Sequence, residues 1–111
     1  MKKSFIYLIC SHEKVAPVKI GFSATPEKRL KQLQTGSAVK LLIFHREEVD
    51  ANNVRTIEKL LHRDMGVQKM KGEWFNITPE MALVNLRHII MQTEDITNIN
   101  ERVKNGTFMR R

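Results

Sequence analysis

The stretch FIYLICSHEKVAPVKIGFS, residues 5–23, contains two apolar runs that are separated by polar residues and Pro17. Two such runs joined by turn-forming residues predict neighbouring strands of a hairpin. Tyr7 lies in the middle of the first run, and Lys19 interrupts the second. One explanation is structural, with a ring packed on the sheet and a lysine that protects an edge strand from aggregation. The other explanation is chemistry at a shared site.

Helix start signals predict two of the helices that follow this hairpin. The sequence TPE occurs at residues 25–27 and again at residues 78–80. Threonine can cap a helix, proline suits the first helical position, and glutamate meets the positive end of the helix. The first helix is expected to bury Leu30 and Leu33 and to end at residues 35–37, TGS. The last helix is expected to bury Ala82, Leu83, Leu86, Ile89 and Ile90.

Apolar spacing predicts the elements between these two helices. Residues 39–49, VKLLIFHREEV, predict a strand whose closely packed apolar residues favour a central position in the sheet. A helix follows over about residues 52–65, and residues 72–77, GEWFNI, predict a short strand. The helix carries one apolar stripe, formed by Val54, Ile57, Leu61 and Met65.

The order β-β-α-β-α-β-α predicts an α+β fold. We expect a small, mostly antiparallel sheet of three or four strands flanked by three helices. Residues 1–93 are predicted to form this domain. Residues 94–111 are predicted to be a polar, basic tail that is loosely ordered or packs only in part.

The charge distribution favours a polyanionic partner. The net charge is +7, and residues 1–77 carry 14 Lys and Arg against 8 Asp and Glu. Neutralised phosphates release counterions, so nucleic acid is the natural partner for this excess. Many basic proteins bind no nucleic acid, and charge alone therefore does not decide the function.

Composition excludes several other classes of protein. The single cysteine, Cys10, excludes an internal disulfide and a Cys-rich zinc site, and its apolar surroundings predict a buried thiol. The first apolar run is too short for a signal peptide, and no run approaches the roughly 18 apolar residues of a membrane span. A cytoplasmic location is expected. No phosphate loop or dinucleotide fingerprint supports a nucleotide-cofactor enzyme.

Four motifs together resemble a known family. FIYLI, VKIGFS with PEKRLKQLQTG, IEKLLHRDM and GEWFNI occur in this order over residues 5 to about 77. In order and spacing they resemble the GIY-YIG nuclease superfamily, and more narrowly its small phage-associated branch, in which the second signature reads K-I-G. Two residues depart from the family name, because Phe5 stands in place of its glycine and Lys19 in place of its second tyrosine.

The resemblance implies that Tyr7 and Lys19 lie side by side near the attacking water. Phosphodiester hydrolysis needs a base for that water and cations for the charge on the phosphoryl oxygens. Tyr7 is the preferred base, with Lys19 holding it in its reactive state, and the reverse assignment stays open. Arg29, early in the first helix, could grip two phosphate oxygens. The alternative is that Arg29 is an ordinary solvated charge on the helix, without a role in catalysis.

The resemblance makes Glu58 the single protein ligand of Mg²⁺ or Mn²⁺. These hard cations keep most of their waters and take other ligands from substrate phosphate. Helical spacing places Glu58 and His62 one turn apart on the border of the buried stripe, which predicts that both are semi-buried. His62 could donate to the phosphate or orient a water on the metal. A structural alternative is an intrahelical pair of Glu58 with His62 or Arg55.

The motif GEWFNI completes the implied site. Gly72 permits a turn, and Trp74 or Phe75 should anchor the core. Asn76 resembles the polar residue that closes the active site in many members of the family. Glu73 is expected to accept a hydrogen bond from Arg29 or His62.

The sequence therefore predicts a metal-dependent endonuclease that hydrolyses DNA phosphodiester bonds through an activated water. The alternative is a DNA-binding accessory or regulatory module without catalysis, and RNA binding is a third possibility that the few aromatic residues disfavour. Binding should depend strongly on salt and weakly on sequence, or need a protein partner for target choice. Strand preference and oligomeric state stay open. The predicted nucleic-acid-binding residues are Lys28, Lys31, Lys40, Arg55, Arg63, Lys69 and Lys71.

Overall fold

The computed structural model describes the backbone of residues 3–105 and the side chains of residues 3–94. Within this part of the chain, strands and helices follow the predicted order, and they confirm the α+β class. Single turns of 3-10 helix flank the second helix. The elements are β1 (Lys3–Ser11), β2 (Val18–Ser23), α1 (Pro26–Thr35), β3 (Leu41–Asp50), α2 (Val54–Met65), β4 (Trp74–Phe75) and α3 (Pro79–Asn105).

The four described strands form one antiparallel sheet in the order β3-β1-β2-β4. β1 and β2 form the predicted hairpin at its centre, where Tyr7 pairs with Gly21 and Ile9 pairs with Lys19. Directly paired residues point to the same face of a sheet, and so do residues two positions apart on one strand. Tyr7 and Lys19 therefore lie on one face, on neighbouring strands and offset by one pair.

Helices cover both faces of the sheet. α1 packs Leu30 and Leu33 against the face that carries Tyr7 and Ile9. The opposite face packs against α2 and α3 and forms the larger core. Because helices cover both faces of the sheet, nearly every position in the middle of β1 and β2 is apolar. The buried residues of this larger core are Ile6, Leu8, Cys10, Val18, Ile20, Val49, Ile57, Leu61, Met65, Phe75, Ala82, Leu86 and Ile89.

β3 is an edge strand, and the prediction that it is central was wrong. Leu42 and Phe44 pack against the larger core, whereas Ile43 packs on the face that α1 covers. Both faces of β3 are therefore partly covered although one of its edges has no described partner strand. A high density of apolar residues indicates that both faces of a strand are covered. It does not indicate whether the strand has a partner strand on each side.

The two TPE sequences begin helices as predicted, but their threonines behave differently. Thr78 Oγ1 accepts a hydrogen bond from the Met81 amide at 3.3 Å. The Thr25 side chain makes no capping hydrogen bond, and the Thr25 amide instead donates to Ser23 Oγ at 2.9 Å. Both helices share a proline at the first helical position and a glutamate in the first turn.

α3 is longer than predicted. It continues to Asn105, so the backbone over residues 94–105 is helical rather than loosely ordered. The rest of the predicted tail, residues 106–111, lies outside the described residues. The division of the chain at residue 93 stays a prediction.

Cys10 provides a test of this core. Its side chain is fully buried, as predicted, and burial is the largest cause that raises the pKa of its thiol, with a further rise from Glu80. We expect iodoacetamide at pH 8 to modify the native protein on the order of a thousandfold more slowly than the protein in guanidinium chloride, because reaction requires opening of the core. Mass spectrometry over time measures both rates. Rapid modification of the native protein would contradict the buried position.

The sign of the pH dependence follows from the same shift. Below the pKa of the unfolded thiol, Cys10 is protonated in both states and has no effect on the free energy of unfolding. As the pH rises through that value, near 8.5, only the unfolded state loses the proton, and stability falls until the folded thiol also ionises. Cys10→Ala should therefore lose less stability between pH 8 and pH 10 than the wild type in chemical denaturation.

Candidate functional site

Tyr7 lies across the backbone of Gly21. A Cβ at position 21 would overlap the Tyr7 hydroxyl, come within 2.6 Å of Tyr7 Cζ and within 3.0 Å of Glu73 Oε1. Only glycine allows this close approach, which is one of the known reasons for glycine inside a strand. Gly21 was not assigned a role from the sequence, although its position within a strand was the available signal.

Glu73 lies beside both Tyr7 and Lys19. Its carbonyl oxygen accepts a hydrogen bond from the Ile20 amide at 3.1 Å, which fixes it next to β2. Its carboxylate Oε1 lies 3.7 Å from Lys19 Nζ. Glu73 thus pairs with Lys19 and not with the expected Arg29 or His62. We call Tyr7, Lys19 and Glu73 the Gly21 cluster.

The Gly21 cluster is enclosed on its inner side and open at Glu73. Tyr7 is 1% exposed and Lys19 is 7% exposed, whereas the Glu73 side chain is 53% exposed. Lys19 Nζ also lies 5.5 Å from the centroid of the Trp74 ring, which is the distance of a cation–π contact. Phe75 is the buried anchor that was predicted for this segment, and Trp74 is half-buried on the other face.

The Tyr7 side chain is almost completely buried. Among the described side chains, the buried polar atoms without a hydrogen-bond partner are Ser11 Oγ and Gln68 Oε1. The Tyr7 hydroxyl has no hydrogen-bond partner among these residues, and it is not one of those buried atoms. The phenol ring is part of the core, and its oxygen lies close to the backbone of Gly21.

A cleft of about 540 Å³ lies between α2 and the strands β2 and β4. Its floor is apolar and its rim is charged, and Glu73 forms part of that rim. We call it the α2 cleft. The floor consists of Ile20, Phe22, Leu61 and Phe75, and the rim consists of Arg55, Glu58, Lys59, His62, Lys69 and Glu73.

Glu58 and His62 line the α2 cleft together, one helical turn apart. Both side chains are exposed, and the prediction that they are semi-buried was wrong. The border of the apolar stripe faces the open cleft rather than the core, which periodicity does not reveal. In the described part of the chain, Glu58 forms no ion pair with Arg55 and no hydrogen bond with His62, so the intrahelical alternative is not formed.

Arg29 and Asn76 do not line the α2 cleft. Arg29 is half-buried on α1, and its Nη1 donates to Gln32 Oε1 of the same helix at 3.2 Å. Asn76 is exposed, and its amide donates to the Gln68 carbonyl oxygen at 2.7 Å. The catalytic roles that were predicted for these two residues stay predictions.

The predicted nucleic-acid-binding residues differ in whether they line the α2 cleft. Arg55 and Lys69 line the α2 cleft, and Lys59, which was not predicted, lies with them. Arg63 instead donates to Asp64 at 2.6 Å and to Gln92 at 3.0 Å, and its guanidinium lowers the pKa of the Asp64 carboxyl. The remaining members are exposed outside the cleft lining, and they are Lys28, Lys31, Lys40 and Lys71.

Glu58 is the side chain of the α2 cleft that could act as the predicted metal ligand. Among the described residues, no group of three His, Cys, Asp or Glu side chains is placed to bind a metal ion. A closed protein site for zinc or calcium would need such a group. Glu58, exposed and unpaired on the rim, fits the single carboxylate ligand of Mg²⁺ or Mn²⁺, which take further ligands from water and phosphate.

The protein is a small α+β domain with a cleft lined by basic residues and carboxylates. Residues 4–90 match the T5orf172 domain, and the chain therefore belongs to this phage-associated, nucleic-acid-related family. No curated protein and no solved structure matches the chain. Within the described residues, no helix has the length and apolar character needed to cross a membrane.

Proposed function

We propose that this domain is a metal-dependent endonuclease that hydrolyses DNA phosphodiester bonds through an activated water, as its resemblance to the GIY-YIG superfamily predicts. One observation carries the proposal. Glu73 belongs to the Gly21 cluster and also lines the α2 cleft with Glu58 and His62. Glu73 thus links the Gly21 cluster, on the face of the sheet that α1 covers, to the α2 cleft, whose floor lies on the opposite face.

Each side chain of the predicted set would have one role in this reaction. Tyr7 would act as the phenolate, which takes the proton of the attacking water and becomes the neutral phenol, and Lys19, paired with Glu73, would keep Tyr7 in this reactive state. His62 donates to a phosphoryl oxygen from the cleft wall, and Arg29 balances charge that grows on the phosphate. Glu58 would hold Mg²⁺ or Mn²⁺. When bound, that ion supplies Lewis-acid stabilisation of the leaving oxygen.

A specific observation favours the non-catalytic alternative. Tyr7 and Lys19 are almost completely buried, and a base must reach the proton that it removes. If these two residues serve only to pack the sheet, the α2 cleft remains a DNA-binding surface without a reaction.

A nicking assay separates the two functions. Supercoiled plasmid is incubated with the protein in Mg²⁺, in Mn²⁺ and in EDTA, and DNA binding is measured in parallel by fluorescence anisotropy. We expect nicked circles with either metal ion and none in EDTA. Binding without nicking in both metals would establish the DNA-binding module instead.

The salt dependence of binding tests which cations contact phosphate. Arg55, Lys59 and Lys69 line the α2 cleft, and each neutralised phosphate adds about 0.9 to the negative slope of log affinity against log salt. We expect Lys69→Ala to reduce that slope by about one. Arg87, an exposed arginine of α3 outside the cleft, is the matched control, and Arg87→Ala should leave the slope unchanged. Equal slopes for both variants would place the phosphates elsewhere.

A further inference from the structure

The floor of the α2 cleft is apolar, and contacts with phosphate do not involve it. Ile20, Phe22, Leu61 and Phe75 present an apolar surface at the bottom of the cleft. Phe22 is only half-buried, although it packs against the larger core. A DNA backbone that binds the charged rim covers no apolar surface, so the floor fits another part of the ligand.

The size and charge of the cleft restrict that ligand. A volume of about 540 Å³ lies within the usual range of about 300–1,000 Å³ for small-molecule pockets. The rim has three cationic side chains, Arg55, Lys59 and Lys69, against the carboxylates of Glu58 and Glu73. The ligand is therefore partly flat or apolar and partly anionic, and both properties occur together in a nucleotide.

We propose that the α2 cleft binds one unstacked nucleotide of DNA, with its base against Phe22 on the floor and its phosphates at Arg55 and Lys69 on the rim. The inference rests on the proposed function in that the ligand is DNA, and it specifies the substrate class. That class is DNA with an unpaired base, whether single-stranded or locally opened. In a regular duplex, by contrast, the bases are stacked and only the rim can be used.

The base contact is tested by binding, without any cleavage. Three labelled oligonucleotides are compared in EDTA at fixed salt by fluorescence anisotropy: a duplex, the same duplex with one unpaired adenine, and the same bulge with an abasic residue. Stacking of one base on an aromatic ring contributes enough for about a tenfold difference in affinity. We expect the unpaired adenine to bind about tenfold more tightly than the abasic bulge.

Phe22→Leu should remove this difference, because leucine keeps the core packed but has no ring. The matched control is Phe44→Leu, since Phe44 is also half-buried against the larger core and does not line the cleft. Circular dichroism checks that both variants fold. We expect the wild type and Phe44→Leu to prefer the unpaired base. We expect Phe22→Leu to have lost this preference.

The outcomes distinguish this inference from the proposed nuclease activity. Equal affinity for the adenine and abasic bulges, or a preference that survives in Phe22→Leu, overturns the nucleotide site even if the protein nicks plasmid DNA. If the protein prefers the adenine bulge but does not nick DNA with either metal ion, the nucleotide site is supported and the proposed nuclease activity is contradicted. Failure to bind any of the three DNAs overturns both.

Discussion

Replacing Gly21 by alanine is expected to lower DNA nicking by about a hundredfold or more and to destabilise the fold by about 1–3 kcal/mol. The added Cβ would overlap the Tyr7 hydroxyl and come within 2.6 Å of Cζ, so the phenol ring must move. Tyr7 belongs to the core, and overpacking of a core costs energy of this size. Displacement of a catalytic group by about an ångström can lower a rate by about a hundredfold.

The matched control for this substitution is Gly66→Ala. No atom lies within 4 Å of a Cβ added at Gly66, whose φ of −60° and ψ of −32° are helical. Alanine there should leave nicking unchanged and change stability by less than about 1 kcal/mol. Chemical denaturation and the nicking assay measure both variants.

A double variant separates the two effects of Gly21→Ala. Tyr7→Leu removes the hydroxyl and Cζ that the new methyl group meets, so it should restore part of the stability that Gly21→Ala loses. It should not restore nicking, because the base is gone. A Gly21→Ala protein that is destabilised and still nicks at the wild-type rate would show that Tyr7 has no part in the reaction.

Glu58→Gln is expected to lower metal-dependent nicking by about a thousandfold and to leave the fold unchanged. Glu58 is exposed and unpaired in the described part of the chain, so its charge has no structural role there. An amide oxygen is a poor replacement for the only carboxylate that would hold Mg²⁺ or Mn²⁺, and metal-ion catalysis contributes several kcal/mol. DNA affinity in EDTA should stay equal or rise, because a negative charge has been removed beside the phosphate.

Glu94→Gln is the control for Glu58→Gln. Glu94 is an exposed carboxylate of α3 that does not line the α2 cleft, and its replacement should leave nicking at the wild-type level. The assay is a titration with Mn²⁺, which shows whether higher metal concentration rescues the weakened site. Full nicking by Glu58→Gln at low Mn²⁺ would mean that the metal is held elsewhere.

Much of the fold could be predicted, because its signals are local. Apolar runs predicted β1 and β2, and proline followed by glutamate predicted where α1 and α3 begin. The errors arose where a distant part of the chain was needed. β3 is at an edge because nothing described pairs with its other side, and α3 ends later than its apolar pattern indicates.

The site was predictable in its residue types and less so in its contacts. The motifs selected Tyr7, Lys19, Glu58 and Glu73, but the expected partners of Glu73 were wrong, and the exposure of Glu58 was misjudged. Helical spacing gives the angle of Glu58 around α2. It does not give the distance from α2 to β2, which leaves the cleft open.

The sequence alone determined the excess of basic residues, the positions of the strands and helices, and the paired faces of the hairpin. The positions and the faces follow from neighbours in the chain, because alternation and helical spacing act over a few residues. The meeting of Glu73 with Lys19 follows from the pairing of β4 with β2, and the α2 cleft follows from how a helix packs some forty residues away from that strand. Both depend on long-range packing, which many side chains contribute to jointly and no short motif encodes.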